Sequence, residues 1–127
     1  MRAPLRHPIL EGRRVLVVED EFLISMALED ALLAQGCLVL GPVGRLPAAL
    51  RMAEQEQVDL AVLDVNLMGT KVYPLAHMLE ARRVPFVLAT GYGEAAVPAG
   101  QGHWPVCSKP YRPAEVMAAL ARLAEGR

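Results

Sequence analysis

Short aliphatic runs alternate with helical patterns along this chain, and that alternation constrains the fold more than any other feature of the sequence. Residues 15–18 read Val-Leu-Val-Val, and residues 60–63 have the same character. Uninterrupted apolar runs of this length are typical of strands that are buried on both faces, as in a parallel sheet. We predict five such strands, at residues 15–18, 37–40, 60–63, 85–89 and 106–108.

Helical patterns fill the intervals between those strands. Leu23 and Met26 belong to a first pattern that Gly36 ends, and Pro47 and Pro113 suit the first turns of two later helices. The predicted helices cover residues 22–35, 47–57, 73–82 and 114–124, while residues 91–102 hold at most a short, poorly specified helix. This alternation predicts an α/β fold, a flavodoxin-like (βα)5 three-layer sandwich with a five-stranded parallel sheet in the order 2-1-3-4-5.

The length of 127 residues suits one domain. We divide the chain into an N-terminal arm at residues 1–12, expected to be disordered, and a domain at residues 13–125. Hydrophobic residues make up 54% of the chain and aromatic residues only 5%, so the core must be aliphatic. Cys37 and Cys107 fall in predicted strands, and we expect both to be buried free thiols.

Charge and hydropathy argue against two classes of partner. The net charge of −1 argues against a nucleic-acid binder that works by electrostatic attraction. No apolar run approaches the roughly 20 residues needed to span a bilayer, and residues 1–11 lack the apolar centre of a signal peptide. We therefore expect a cytoplasmic protein with no membrane and no direct nucleic-acid partner.

Chemically useful side chains follow four of the five predicted strands. Glu19 and Asp20 follow the first strand, Asp64 the third, Thr90 the fourth and Lys109 the fifth. In an open parallel sheet, ligands bind outside the carboxyl ends of the strands, at the point where the strand order reverses. In the predicted order this point lies between strands 1 and 3, which end at Asp20 and Asp64.

The chemistry of those side chains favours phosphoryl transfer. Clustered carboxylates repel one another unless a cation neutralises them, and carboxylates with water suit Mg²⁺. A carboxylate such as Asp64 also acts as a nucleophile that forms an aspartyl-phosphate. The phosphoryl group then needs charge compensation and a hydrogen-bond donor, which Lys109 and Thr90 offer. Mg²⁺ is therefore the expected cofactor.

At this point the sequence resembles the receiver domains of bacterial two-component response regulators, the CheY-like superfamily. The matching stretches are residues 15–21, 63–66 and 89–92 and the pair Lys109-Pro110. They occur in the order found in that family and cover nearly the whole chain after residue 12. The resemblance implies a phosphorylation switch in a two-component phosphorelay.

The resemblance also implies a role for each matching position. Asp64 would be the phospho-acceptor, Thr90 would hydrogen-bond a phosphoryl oxygen, and Lys109 would pair with another. The implied metal ligands are Asp20, Asp64, the backbone carbonyl of Asn66, and Glu19 acting largely through water. The bond between Lys109 and Pro110 is often cis in such domains.

Two positions depart from the common pattern of the family. Many receivers carry an aromatic switch residue three positions before the lysine, and Val106 stands there in this chain. Phe86 and residues 89–92 resemble the so-called FATGUY subgroup of stand-alone receivers, in which the fourth helix is atypical. We therefore name Tyr92 and Val106 as the switch candidates, with Tyr92 able to take over part of the aromatic read-out.

The resemblance implies partners as well. A histidine kinase or histidine phosphotransfer protein would phosphorylate Asp64, and the changed surface would bind a downstream protein, since no output domain is recognised in the chain. We expect a monomer or weak dimer that is not an enzyme beyond its own phosphorylation and dephosphorylation. One alternative is a receiver-like interaction module that works without phosphorylation. Another is a Mg²⁺ phosphatase, although Asn66 stands where such hydrolases usually place a second aspartate.

Overall fold

A parallel sheet of five strands lies at the centre of the computed structural model, which describes residues 5–91 and 97–126. The strands are β1 Arg14–Val18, β2 Leu38–Val43, β3 Leu60–Asp64, β4 Asn66–Leu67, β5 Thr70–Lys71, β6 Phe86–Thr90 and β7 Val106–Ser108. The helices are α1 Phe22–Ala34, α2 Leu46–Gln55, α3 Tyr73–Ala81 and α4 Pro113–Glu125, and a 3₁₀ helix spans Pro8–Leu10. Among the described residues, no helix has the length and apolar character that a membrane crossing requires.

The strand order in the main sheet is β2-β1-β3-β6-β7, and β4 pairs with β5 in a separate hairpin. Counting only the five strands of the main sheet, this is the predicted order 2-1-3-4-5, and every pairing in it is parallel. The flavodoxin-like α/β fold is therefore confirmed. The small hairpin after β3 was not predicted, because two-residue strands leave no periodic pattern in a sequence.

Helices cover both faces of the sheet, which explains the continuous apolar strands. Val15 and Val17 of β1 pack in one buried cluster with residues of α1 and α4. Leu16 and Val18 point to the opposite face and pack in a second cluster with residues of α2 and α3. The core is aliphatic, as the composition predicts, and Trp104 is the one tryptophan of the chain and lies buried in the second cluster.

Strand β2 extends further than predicted. The sequence indicates an end before the pair Gly41-Pro42, but β2 continues to Val43, and its register with β1 shifts at this point. Gly41 has a φ of 92°, and a Cβ there would lie 2.8 Å from the backbone nitrogen of Val43, so the irregularity requires glycine. The Gly41-Pro42 bond is cis. The prediction was wrong because β2 is an edge strand, where proline is tolerated.

The segment before β1 is part of the fold. Leu10 is fully buried in the cluster formed with α1 and α4. The buried side chain of Gln35 accepts the backbone N–H of His7 at 2.7 Å and donates to the carbonyl of Leu5 at 2.6 Å. The expectation of a disordered arm over residues 1–12 is thus wrong from residue 7 onward. Residues 1–4 lie outside the described residues.

Helix α1 buries a different face from the one that its first apolar residues suggest. Leu28 and Leu32 are buried, whereas Leu23 and Met26 are 80% and 44% exposed. The sequence could not select the face because apolar residues occur all around this helix.

The expectation of buried thiols is confirmed for Cys37, and burial raises the pKa of its thiol to about 11. Cys107 is only half-buried.

Candidate functional site

The carboxyl ends of β1 and β3 bring three acidic side chains together. Val18 pairs with Leu63 in the parallel register, so the residues that follow β1 lie beside Asp64 at the end of β3. Carboxylate oxygens of Glu19, Asp20 and Asp64 all lie within 4.8 Å of one another. Glu19 and Asp64 are only 4% and 6% exposed and Asp20 is half-buried, so the cluster is largely shielded from solvent.

Lys109 reaches the same cluster from the end of β7. Its Nζ lies 3.1 Å from Oε1 of Glu19 and 3.5 Å from Oδ1 of Asp64. Its backbone N–H donates to the carbonyl of Thr90 at 2.8 Å, which fixes the chain where β6 and β7 end. The Lys109-Pro110 bond is cis, as the sequence resemblance implies.

Thr90 is the last residue of β6 and is buried. In the sheet register Ala89 pairs with Asp64, so Thr90 lies one position beyond the phospho-acceptor candidate on the neighbouring strand. Tyr92, the other candidate on this segment, lies outside the described residues. Val106 is half-buried against the second hydrophobic cluster, and its role as a switch stays a prediction.

Electrostatics within the cluster is dominated by its excess of negative charge. Burial, a hydrogen bond with Glu19 and the charge of Glu19 raise the pKa of Asp64 to about 7, against the opposing effect of Lys109. Burial works to lower the pKa of Lys109, but the Glu19 and Asp64 carboxylates outweigh it and raise that pKa above its ordinary value. Lys109 is therefore charged at neutral pH, and one ammonium does not balance three carboxylates.

The hairpin of β4 and β5 is hydrogen-bonded to the acidic cluster. Asn66 donates its backbone N–H to Oδ1 of Asp64 at 3.3 Å, and its side-chain oxygen accepts the N–H of Gly69 at 3.0 Å. At the tip, Met68 donates its backbone N–H to Oδ2 of Asp20 at 3.0 Å. Met68 and Gly69 both have positive φ, 52° and 92°, which is the conformation of a tight two-residue hairpin turn.

Sequence reasoning missed one acidic residue at the mouth of the site. Glu21 directly precedes α1, where an acidic side chain favours the start of a helix, and its Oε1 also lies 3.9 Å from the Nζ of Lys109. Its backbone N–H also donates to Oε2 of Glu19 at 3.1 Å. The signal was present as a third acid directly after Glu19 and Asp20, but only the fold shows that it faces Lys109.

A groove of about 480 Å³ opens beside Lys109. Its walls come from the start of α1 and from the segment after β7, namely Glu21, Leu23, Ile24, Ala27, Lys109, Pro110, Tyr111 and Pro113. Leu23 is largely exposed there, as is its neighbour Phe22. An apolar surface therefore borders the acidic cluster on one side.

The donor set fits a hard divalent cation. Buried carboxylates without enough positive partners are costly, and a metal ion removes that cost. Glu19, Asp20 and Asp64 all offer oxygens, the donor type that Mg²⁺ prefers, and Asn66, whose N–H binds Asp64, has a backbone carbonyl to offer as well. The geometry is thus consistent with the expected magnesium site.

Comparison with known proteins identifies the same kind of domain. Residues 15–121 match the family model of the response regulator receiver domain. The chain is 32% identical over 83 residues to the transcriptional regulatory protein PdtaR of Mycobacterium tuberculosis, covering 65% of this chain and 40% of PdtaR. The chain therefore spans less than half the length of this relative.

Solved structures agree with the sequence comparison. The solution structure of SdrG from Sphingomonas melonis Fr1 has a TM-score of 0.77 and 37% identity, covering 90% of this chain and 97% of SdrG. The receiver domain of the sensor histidine kinase PA1611 from Pseudomonas aeruginosa PAO1 has a TM-score of 0.76 and 26% identity, covering 90% of this chain and 98% of that domain. That structure contains a magnesium ion coordinated in its active-site cleft.

Proposed function

The chain belongs to the response regulator receiver domain family, and we propose that it is a signalling switch in which Asp64 accepts a phosphoryl group from a phosphohistidine donor. The observation that carries this proposal is the position of Asp64. Its carboxylate is buried at a strand end, within 3.5 Å of the Lys109 ammonium and next to two further acids. Fold stability does not explain this cluster, because buried carboxylates without enough positive partners destabilise a folded protein.

The reaction proposed at Asp64 is a substitution at phosphorus. A carboxylate oxygen of Asp64 attacks the phosphorus atom, a new P–O bond forms, and the P–N bond to the donor imidazole breaks with its electron pair. Lys109 lies where it would compensate the charge of a phosphoryl oxygen, and the hydroxyl of Thr90 would donate to another. Hydrolysis of the same acyl phosphate by water would return Asp64 to its carboxylate form.

We propose Mg²⁺ as the ion that this reaction requires. When bound, the ion would neutralise charge that develops on the phosphoryl oxygens. Asp20, Asp64 and the backbone carbonyl of Asn66 would hold it, with Glu19 acting through water. The magnesium in the active-site cleft of the PA1611 receiver domain supports this assignment, since that domain has the same fold.

The surface beside Lys109 suggests where the phosphohistidine donor docks. A donor protein must deliver its phosphorus atom to a buried carboxylate, so its contact surface has to border the opening of the site. Phe22 and Leu23 are exposed by 62% and 80% at this opening, next to the groove. We propose that the apolar start of α1 packs against a helix of a histidine kinase or phosphotransfer protein.

The output would be a change in protein binding. The phosphoryl group brings a charge of about −1.5 to −2 into the space that Lys109, Thr90 and the hairpin surround. Redistribution between two conformations would then change the surface that a downstream protein contacts. A BeF3-activated conformation of SdrG has also been solved, which supports two-state behaviour. We further propose a cytoplasmic location and no enzymatic activity on other substrates.

The proposal is tested by intact-mass measurement after incubation with acetyl phosphate. We expect one phosphoryl group per chain, dependent on Mg²⁺ and absent in Asp64→Asn, whereas Asp30→Asn on α1 serves as a matched control that keeps full modification. If the natural chain takes up no phosphoryl group and binds no beryllofluoride with Mg²⁺, the phosphorylation-independent interaction module becomes the better interpretation. Multiple turnover on a phosphomonoester would instead point to a phosphatase.

A further inference from the structure

Glu21, at the mouth of the site, contacts Lys109 from a more exposed position than Glu19 and Asp64 do. Lys109 faces three carboxylates, with Nζ-to-oxygen distances of 3.1 Å to Glu19, 3.5 Å to Asp64 and 3.9 Å to Glu21. The side chains of Glu19 and Asp64 are almost completely buried, whereas that of Glu21 is 65% exposed. Glu21 is thus the one member of this set whose carboxylate can separate from Lys109 into water at little cost.

Backbone contacts keep Glu21 at this position. It directly precedes α1, and its N–H donates to Oε2 of Glu19, the carboxylate whose other oxygen contacts Lys109. Glu19 therefore links the two residues: one oxygen binds the Glu21 backbone, and the other binds the Lys109 ammonium. The side chain of Glu21 also forms part of the groove wall together with Lys109.

We propose that Glu21 is a positioning residue that holds the Lys109 ammonium at the mouth of the site and opposes its transfer to the phosphoryl group. This proposal rests on the function proposed above. With Asp64 bound to the metal and Glu19 bound to a metal-held water, as proposed above, Glu21 would be the acid of this set that remains available to Lys109. When a phosphoryl group arrives, Lys109 must exchange the Glu21 carboxylate for a phosphoryl oxygen, so Glu21 lowers the driving force of phosphorylation.

The size of the effect follows from the exposure of Glu21. Ion pairs with one exposed partner contribute little, so removing the charge of Glu21 should raise the rate of phosphorylation by acetyl phosphate about two- to threefold at low salt. Because the charge is solvated, the difference should shrink toward none at about 0.5 M salt. A role limited to starting α1 would change thermal stability but would not produce this dependence on salt.

The experiment compares four chains at saturating Mg²⁺: the natural protein, Glu21→Gln, Glu21→Asp and Asp30→Asn. Glu21→Gln is expected to show the faster, salt-dependent uptake, and Glu21→Asp, which keeps the charge, is expected to return most of the way to the natural rate. Asp30→Asn makes the same change of net charge on the exposed surface of α1 and is expected to leave the rate unchanged. Equal rates for Glu21→Gln and Asp30→Asn would overturn the proposal.

A second measurement tests whether Glu21 acts through Lys109. In a double-mutant cycle of Glu21→Gln and Lys109→Met, the two changes should be non-additive by about two- to threefold in the unfolding equilibrium constant without metal. Additive effects would show that the residues are not paired and would also overturn the proposal. If the natural chain takes up no phosphoryl group, the proposed function fails, and the cycle still reports on the pair.

Discussion

The carboxylate of Asp20 accepts a hydrogen bond from the backbone N–H of Met68, 48 residues further along the chain, at 3.0 Å. This bond joins the end of β1 to the tip of the hairpin after β3. The same hairpin carries Asn66, whose N–H binds Asp64. Two of the three clustered acids therefore hold the loop that would supply a carbonyl ligand, and we expect loop conformation and metal affinity to be coupled.

The first prediction tests that coupling. A substitution of Gly69 by Ala places a side chain at a φ of 92°, which strains the hairpin although the space around it is open. We expect a stability loss of about 1 kcal/mol and weaker Mg²⁺ binding, measured by calorimetry. Gly102→Ala is the control, because Gly102 has open space and no left-handed backbone. Unchanged Mg²⁺ affinity in Gly69→Ala would contradict the coupling.

The second prediction concerns pH and stability without metal. The pKa of Asp64 is about 7 in the folded chain and near 3.8 when unfolded, so the folded state binds more protons between these values. The contribution of Asp64 to the free energy of unfolding therefore falls as the pH rises from about 4 to 7. We expect Asp64→Asn to gain stability relative to the natural chain over that range, measured by urea unfolding in EDTA. A constant difference between the two chains would contradict the raised pKa.

The third prediction follows from the same pKa. Mg²⁺ binding requires the charged form of Asp64, so its apparent affinity should fall as pH drops below about 7, by up to tenfold for each unit. Isothermal titration at pH 8, 7 and 6 measures this dependence. An affinity that is equal at pH 8 and pH 6 would show that the Asp64 carboxyl is already ionised throughout.

The fourth prediction separates docking from chemistry. Leu23→Ser removes an apolar side chain that is 80% exposed at the groove and is expected to slow phosphoryl transfer from a donor protein at least tenfold. Uptake from acetyl phosphate should stay within twofold of the natural rate, since the small donor needs no docking surface. Leu33→Ser, at the other end of α1 and 55% exposed, is the control. Loss of both activities in Leu23→Ser would indicate damage to the site itself.

The fifth prediction concerns the segment that leads into β7. Trp104 donates its Nε1–H to Oε2 of Glu80 at 2.9 Å, and His103 contacts the same oxygen at 2.7 Å. Glu80→Ala removes this acceptor and should shift the fluorescence of the one tryptophan to longer wavelength, while Glu80→Gln, which keeps an acceptor oxygen, should change it less. Identical spectra for the natural chain, Glu80→Ala and Glu80→Gln would show that the hydrogen bond to Glu80 does not hold Trp104 in place.

Much of the fold could be predicted because parallel strands that are buried on both faces leave continuous apolar runs. The same regularity places polar residues at the strand ends, so the clustering of Asp20, Asp64 and Lys109 could be anticipated. The continuation of β2 through Gly41-Pro42 could not be predicted, because the edge position that tolerates proline is a property of the assembled sheet.

Other features depend on contacts between distant parts of the chain. The burial of Leu10 needs the cluster of α1 and α4, which does not exist until the helices pack on the sheet. The contact of Glu21 with Lys109 joins residues far apart in the sequence, so a third acid after Glu19 and Asp20 does not by itself indicate that contact. The likeness to the FATGUY subgroup stays a prediction, because Tyr92 lies outside the described residues.

The central claim is that Asp64 itself carries the phosphoryl group. An acyl phosphate is reduced by borohydride, which converts the modified aspartate to homoserine, so peptide mass spectrometry after reduction identifies the residue. After treatment with acetyl phosphate and Mg²⁺, we predict homoserine at position 64 and at no other carboxylate, and none without Mg²⁺. Homoserine at Asp20, 5-hydroxynorvaline at Glu19, or no reduced residue in a chain that had gained phosphate, would contradict the claim.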